Sequence, residues 1–256
     1  HLAIAAHQDD IEFMAYAPVA ECFGAPDKWF GAIVVTDGAG SPRSGLYADY
    51  TDEQMKEVRV VEQKKAAMVG EYGFLAMLSH PSKEVKDAGN TKIIEELADL
   101  IRKAKPKYLY THNLADKHET HVATALKVIA ALRRLLPEER PEKVYGCEVW
   151  RDLDWLCDDE KVCLDCGAHP NLMRCLSAVF DSQIAGGKRY DLAAEGRRLA
   201  NATFSASHAC DTYSALNYAM DLTPLMNESV DIADYIAGFI DRFKVNVKET
   251  IGRFMK

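Results

Sequence analysis

No apolar run in this 256-residue sequence reaches the roughly 18 residues that a membrane-spanning helix needs. No signal peptide is expected: after His1 the chain runs directly into LAIAA, without an initiator Met, so native residues can precede it. There is no long basic run, and 31 Lys and Arg against 39 Asp and Glu leave a net charge of −8, which argues against nucleic acid as a main partner. Seven Cys, an odd number in a chain long enough to bury a full core, do not form a disulfide framework and point to a reducing, cytoplasmic setting. Internal repeats and low-complexity stretches are absent as well. With 48% hydrophobic and 27% charged residues, what remains is an ordinary globular protein.

What is present alternates. Leu2–Ala6, Gly31–Thr36, Phe74–Leu78 and Lys107–Tyr110 are short apolar runs that predict buried strands. Between and after them, helices are predicted from Asp10 to about Phe23, over Thr51–Glu71, over Thr91–Lys103 and from His118 to about Leu135. The Thr51 helix has a strong start, with Thr51 as N-cap, Asp52 and Glu53 in the first turn and Gln54 at the capping-box position. Strands alternating with helices in this way predict βαβ units and a mostly parallel sheet, an α/β fold. The second half is less regular. It offers a strand at Val144–Trp150, a turn or hairpin at Cys157–Cys166, and helices at Asn171–Phe180, Tyr190–Asn201 and from Ile232 to about Phe254. We expect one domain over residues 1–256, with a βαβ core to about residue 135 and a part from about residue 144 that completes the pocket.

Two segments concentrate chemistry. His7-Gln8-Asp9-Asp10 follows the first predicted strand; His112 to His121, with Asp116 and His118 between, follows the fourth. The carboxyl ends of parallel strands form the usual site crevice, so the two segments can meet although about 100 residues separate them. His and Asp are zinc ligands, and a catalytic zinc takes three protein ligands plus water. His118 and His121 are three residues apart near a helix start, as are His7 and Asp10, so each pair can face one point. Asp9 is then a spare carboxylate beside a metal, the natural place for a general base. Adjacent Asp residues after a strand can also be a plain helix N-cap, and single His residues are more often structural. Half of the chain's eight His fall in these two segments, however, which favours the metal reading. His112 is a candidate substrate contact or alternative ligand.

The same residues resemble a family. His7-Gln8-Asp9-Asp10 is similar to the AHPDD motif of the LmbE-like, or PIG-L, N-acetylglucosaminyl deacetylases. Asp116 and His118-Glu119-Thr120-His121 resemble their D-x-H-P-D-H motif, Arg59 and Glu62 their R-x-x-E-x-x-x-A helix, and Ser182-Gln183 a later S-Q pair. The resemblance implies a Rossmann-like sheet flanked by helices and one zinc per chain held by His7, Asp10 and His121. It also implies Asp9 as base, His118 to stabilise the oxyanion or protonate the leaving amine, and Arg59 to touch an amino-sugar substrate. Gln8 stands where the motif has Pro. Thr120 stands where it has the Asp that supports the catalytic His, which leaves Asp116 or Glu119 as partner for His118. The competing expectations are another mononuclear metal hydrolase, an amidase or phosphoesterase, and an inactive sugar-binding relative.

Weaker signals remain. Cys163 and Cys166, with Cys157 and Cys175, could make a second metal site, but the second pair lacks C-x-x-C spacing and plain buried thiols account for them better. Trp150, Trp155 and Tyr213 could stack on a sugar, and His169 and His208 could line the pocket. Asp37-Gly38-Ala39-Gly40 could form a site loop. The amphipathic Ile232–Phe254 helix suits an interface between copies of the chain, in a homo-oligomer.

Overall fold

The computed structural model describes residues 1–255. Its elements in chain order are β1 (Leu2–Ala5), α1 (Asp10–Met14), α2 (Tyr16–Cys22), β2 (Gly31–Thr36), α3 (Asp52–Val69), β3 (Phe74–His80), α4 (Ser82–Lys86), α5 (Lys92–Ala104) and β4 (Tyr108–His112). These are followed by α6 (Glu119–Arg133), β5 (Lys143–Cys147), β6 (Val162–Asp165), α7 (Pro170–Ala178), α8 (Asp181–Ile184), α9 (Tyr190–Phe204), β7 (Leu216–Asp221) and α10 (Ile232–Phe254). The seven strands form one sheet in the order β3-β2-β1-β4-β5-β7-β6. The first five are mutually parallel; β7 runs antiparallel to both β5 and β6. The expected α/β, mostly parallel, helix-flanked architecture is the one found.

The strands sort the core by alternation. Every residue of β1 and β2 is buried, as strands covered on both faces must be. Leu2, Ile4, Ile33 and Val35 point to one face, where they pack with Ile93, Leu97 and Ile101 of α5 and Val128 and Leu132 of α6. Ala3, Ala5, Ala32 and Val34 point to the other, where small side chains leave room for Ile11, Met14, Val19 and Leu176. The Thr51–Gln54 capping box forms in both directions and starts α3 as the sequence predicts.

Several boundaries differ. The single helix expected from Asp10 breaks at Ala15 into α1 and α2. The Cys157–Cys166 stretch contains the edge strand β6, and β7 lies where the sequence predicts no strand. The strand expected to reach Trp150 ends at Cys147, which leaves residues 148–156 outside the sheet. Arg198 of α9, fully buried, ties the second half to α1: it donates to the carbonyls of Glu12 and Phe13 and to Asn217 Oδ1 on β7. No described helix is long and apolar enough to cross a membrane.

Candidate metal centre

Strand order reverses between β1 and β4, so the loops leaving their carboxyl ends part to opposite sides and open a crevice. His7 to Asp10 lies on one lip and His112 to His121 on the other. They meet in a triangle: His7 Nδ1 is 3.1 Å from Asp10 Oδ2 and 3.2 Å from His121 Nε2, and His121 Nε2 is 3.3 Å from Asp10 Oδ2. Ligand atoms placed tetrahedrally about 2.0–2.1 Å from an ion stand roughly 3.3 Å apart. Two imidazoles and one carboxylate at that separation are a donor set that fits zinc.

The surroundings orient each donor. His7 N–H donates to Asp10 Oδ2 at 2.7 Å and turns that carboxylate toward the imidazoles. Burial works to raise the Asp10 carboxyl, but the His121 and His7 rings outweigh it and hold the group well below the ordinary range. Asp116 Oδ2 is 3.1 Å from His121 Nδ1, the carboxylate–histidine arrangement that presents Nε2 to a metal. Burial alone would lower His121; the carboxylates of Asp10 and Asp116 push it up to about 10 instead. A metal bound here would displace a proton from this ring.

His112 is brought to the cluster but lies beneath it. It is fully buried, stacks on His121 at 3.9 Å, and its Nε2 accepts the Ala6 N–H at 2.8 Å. That bond occupies the lone pair a metal would need. Burial, with the charge of His121, lowers the ring to about 4, so it is neutral. It is absent from the walls of the cavity, which leaves it no surface for the substrate contact expected of it.

Asp9 stands beside the triangle with its backbone at φ 90°, a left-handed region rare for a non-glycine residue and worth about 1–3 kcal/mol of strain. Its Oδ2 accepts from Arg59 Nη2 at 2.7 Å. Burial pushes the Asp9 carboxyl up to about 6 against the opposing pull of Arg59. Arg59 is itself buried. Nη2 also donates to the Gln8 carbonyl, while Nη1 donates to Glu62 Oε2 at 2.9 Å. Glu62 in turn accepts from Ser182 N–H at 2.6 Å and from Ser182 Oγ at 2.8 Å. The R-x-x-E and S-Q matches, far apart in sequence, thus meet in one buried network. Arg59 reaches the cavity wall, but the donor fork expected to grip substrate is committed to Asp9, Gln8 and Glu62.

His118 lies opposite. Its ring stacks on His121 at 4.6 Å and lies parallel to Trp150 at 6.3 Å. Neither expected carboxylate supports it. Asp116 spends Oδ1 on the His118 backbone N–H and Oδ2 on His121, and Glu119 points to solvent beside Lys86. The ring's Nδ1 has no partner. Burial and the positive charge of its neighbours hold His118 below its ordinary value.

These groups line a cavity of about 370 Å³. Gly38, Gly40 and Pro42 line it, as the Gly-rich loop suggested, and Gly38 must be glycine on two counts: its φ of 77° strains any side chain, and a Cβ there would approach Gln8 Oε1 to 2.7 Å. Phe13, Trp150 and Tyr190 supply aromatic surface. Trp155 instead donates to Glu148, and neither Trp155, Tyr213, His169 nor His208 lines the cavity. The four candidate cysteines form no metal-binding group among the described residues: Cys166 is buried just past β6, and Cys163 and Cys175 are exposed.

The PIG-L family model, described as GlcNAc-PI de-N-acetylase, matches residues 2–132. No curated protein matches the chain. Among solved structures, the conserved protein TT1542 of Thermus thermophilus superposes with a TM-score of 0.68 at 17% identity, covering 86% of this chain and 93% of its own. The N,N'-diacetylchitobiose deacetylase of Pyrococcus horikoshii gives 0.65 at 11% identity over 91% and 87%. GalB, the 4-carboxy-2-hydroxymuconate hydratase of Pseudomonas putida, gives 0.65 at 16% identity over 90% and 98%. At these identities the likeness is one of fold, and a deacetylase and a hydratase share it. The match over residues 2–132, which spans β1 to α6 and both lips of the crevice, places this chain in the PIG-L family of GlcNAc-PI de-N-acetylases.

Proposed function

We propose that the protein is a zinc-dependent hydrolase that removes the N-acetyl group from an amino sugar or an amino-sugar conjugate. The observation that carries this reading is the triangle of His7, Asp10 and His121, 3.1–3.3 Å on a side, with the Asp9 carboxylate beside it in one cavity. Membership of a de-N-acetylase family supports the amide-cleaving direction.

Zinc held by these three residues supplies Lewis acidity, which polarises an amide carbonyl and lowers the pKa of a water. The chain's own groups do the rest. Asp9, raised toward neutrality by burial, takes the proton of the attacking water and can return it to the departing amine. Arg59 acts on the reaction through Asp9, whose carboxylate it orients. A neutral His118 ring donates one N–H to the developing oxyanion. His112 holds β1 to β4 and backs the His121 ring. The aromatic faces of Trp150 and Tyr190 suit a sugar ring.

Acetate release from a panel of N-acetyl amino sugars and their conjugates, measured with zinc-loaded protein, tests the reading. About one zinc per chain is expected, and His7→Ala and His121→Ala should each lose it. Full zinc occupancy in both variants, or no acetate from any member of the panel, would overturn the reading.

A further inference from the structure

The Gln8–Asp9 peptide unit is held at both ends by one helix. Its carbonyl, on Gln8, accepts from Arg59, and its N–H, on Asp9, donates to Gln63 Oε1 at 3.1 Å. Arg59 and Gln63 are four residues apart on α3 and so present both grips on one face. Gln63 is fully buried and does not line the cavity. Its own amide is anchored in turn: Nε2 donates to Glu12 Oε1 at 2.8 Å, and Tyr72 OH donates to the same oxygen at 2.8 Å. Asp9 has the strained φ of 90°, and its side chain makes no helix-capping bond that would reward that conformation locally.

We propose that Gln63 is a positioning residue that locks the Gln8–Asp9 peptide and thereby keeps the Asp9 carboxylate in the cavity. Rotation of this peptide toward an ordinary, negative φ at Asp9 would break both grips at once and leave two buried polar groups unpaired. Without Gln63 the peptide N–H has no grip, and only Arg59, through the Gln8 carbonyl and the Asp9 carboxylate, opposes the strain. A side chain that both accepts and donates is what the position requires. It must accept from Asp9 N–H on one side and donate to the Glu12 carboxyl on the other, which no hydroxyl or aliphatic side chain of that length does.

The kinetic part of this inference rests on Asp9 being the base; the conformational part does not. Gln63→Met fills the same space without the amide. It should lower kcat about 10–100-fold with KM within about twofold, since small misplacement of a reacting group has effects of that order. Its crystal structure should show Asp9 at negative φ. Gln63→Glu retains an acceptor for Asp9 N–H, and its carboxyl can share a proton with Glu12, which burial raises to about 7; it should keep Asp9 at positive φ and recover most of kcat. Asp9 still at positive φ in Gln63→Met, or an unchanged kcat there, would overturn the lock. Were Gln63→Met not to fold, Asp9 at negative φ in Gln63→Glu would overturn it and a positive φ would uphold it. Should no N-acetyl substrate be turned over even by the unaltered protein, the functional reading fails alone, and the crystallographic comparison still decides the lock.

Discussion

On the α3 side of the cavity, Asp9 is held through its carboxylate, its amide and the preceding carbonyl, by side chains that are themselves buried and bonded. On the α6 side, His118 has two stacking neighbours, an Nδ1 without a partner and no carboxylate supporting its ring. Two groups on opposite sides of one candidate metal centre are thus built differently. Asp9 occupies a strained backbone conformation, which persists only where its surroundings over-determine it. The His118 backbone, at φ −92° and ψ 113°, is ordinary and needs no such cage. Rigidity in this cavity follows strain.

Damage should be most severe on the Asp9 side. Asp9→Asn keeps the shape and most of the grips but cannot accept a proton. It should retain zinc and lose about 10²–10⁴-fold in kcat. Near-normal turnover would move the base elsewhere. Arg59→Met should be the costliest change for stability, because it leaves the buried carboxylates of Asp9 and Glu62 without their shared cation. Removing one partner of a buried ion pair typically costs about 3–5 kcal/mol. Denaturant midpoints read this directly. A loss near the ~0.5 kcal/mol of a surface helix pair would mean that the network relaxes with water, and that the α3 side is no more tightly built than its counterpart.

His118→Ala probes the looser side. It should keep zinc, leave the melting temperature nearly unchanged and lower kcat about 10²–10³-fold through loss of one oxyanion donor. The ring has no carboxylate partner and is held below its ordinary value, so the basic side of the pH–rate profile should look the same with and without it. A basic limb that vanishes in the variant would show that the ring acts as an imidazolium, with a partner acquired only when substrate binds.

Legibility in the sequence follows the same division. The donors themselves can be read, because His and Asp crowd into two short segments and alternating elements place both at strand ends. Their supports cannot. Gln63 reads as one more polar residue on α3, and nothing local says that its partner is a backbone N–H at Asp9. His112 looks like a free ligand because the group occupying it, the Ala6 N–H, is a backbone group that leaves no mark in a sequence. The two-helix break at Ala15 does leave a mark, Pro18, which has no N–H to bond the Met14 carbonyl in one continuous helix, but the apolar residues on both sides of it read as a single helix face. The strand β7 is masked because its sequence, LNYAMD, mixes Asn217 and Asp221 into an apolar run, and only the structure shows Asn217 bonded to Arg198 and to the carbonyls of Phe13 and Met14.

The mildest change concerns Glu148, just past the end of β5 on the α6 side. Its carboxylate accepts from Leu153 N–H at 2.7 Å and from Trp155 Nε1 at 3.2 Å, and so pins the segment that carries Val149 and Trp150 into the cavity wall. Burial raises this carboxyl from 4.5 to about 7, against the pull of those two donors. A carboxyl raised in the folded state binds its proton more tightly there than in the unfolded chain. Its favourable contribution is therefore full below about pH 4.5 and is lost as pH rises through about 7. At roughly 1.4 kcal/mol per unit, with some allowance for water reaching the group, the loss amounts to about 2 kcal/mol. Glu148→Gln cannot titrate. Unfolding free energies measured for both proteins from pH 5 to pH 8 should converge or cross, the unaltered protein losing about 2 kcal/mol relative to the variant as pH rises. Parallel curves would mean that Glu148 stays ionised across the range, held by the Leu153 and Trp155 donors. The α6 wall would then be braced by a fixed charge, as the α3 wall is by Arg59, and the contrast between the two sides would narrow to His118 alone.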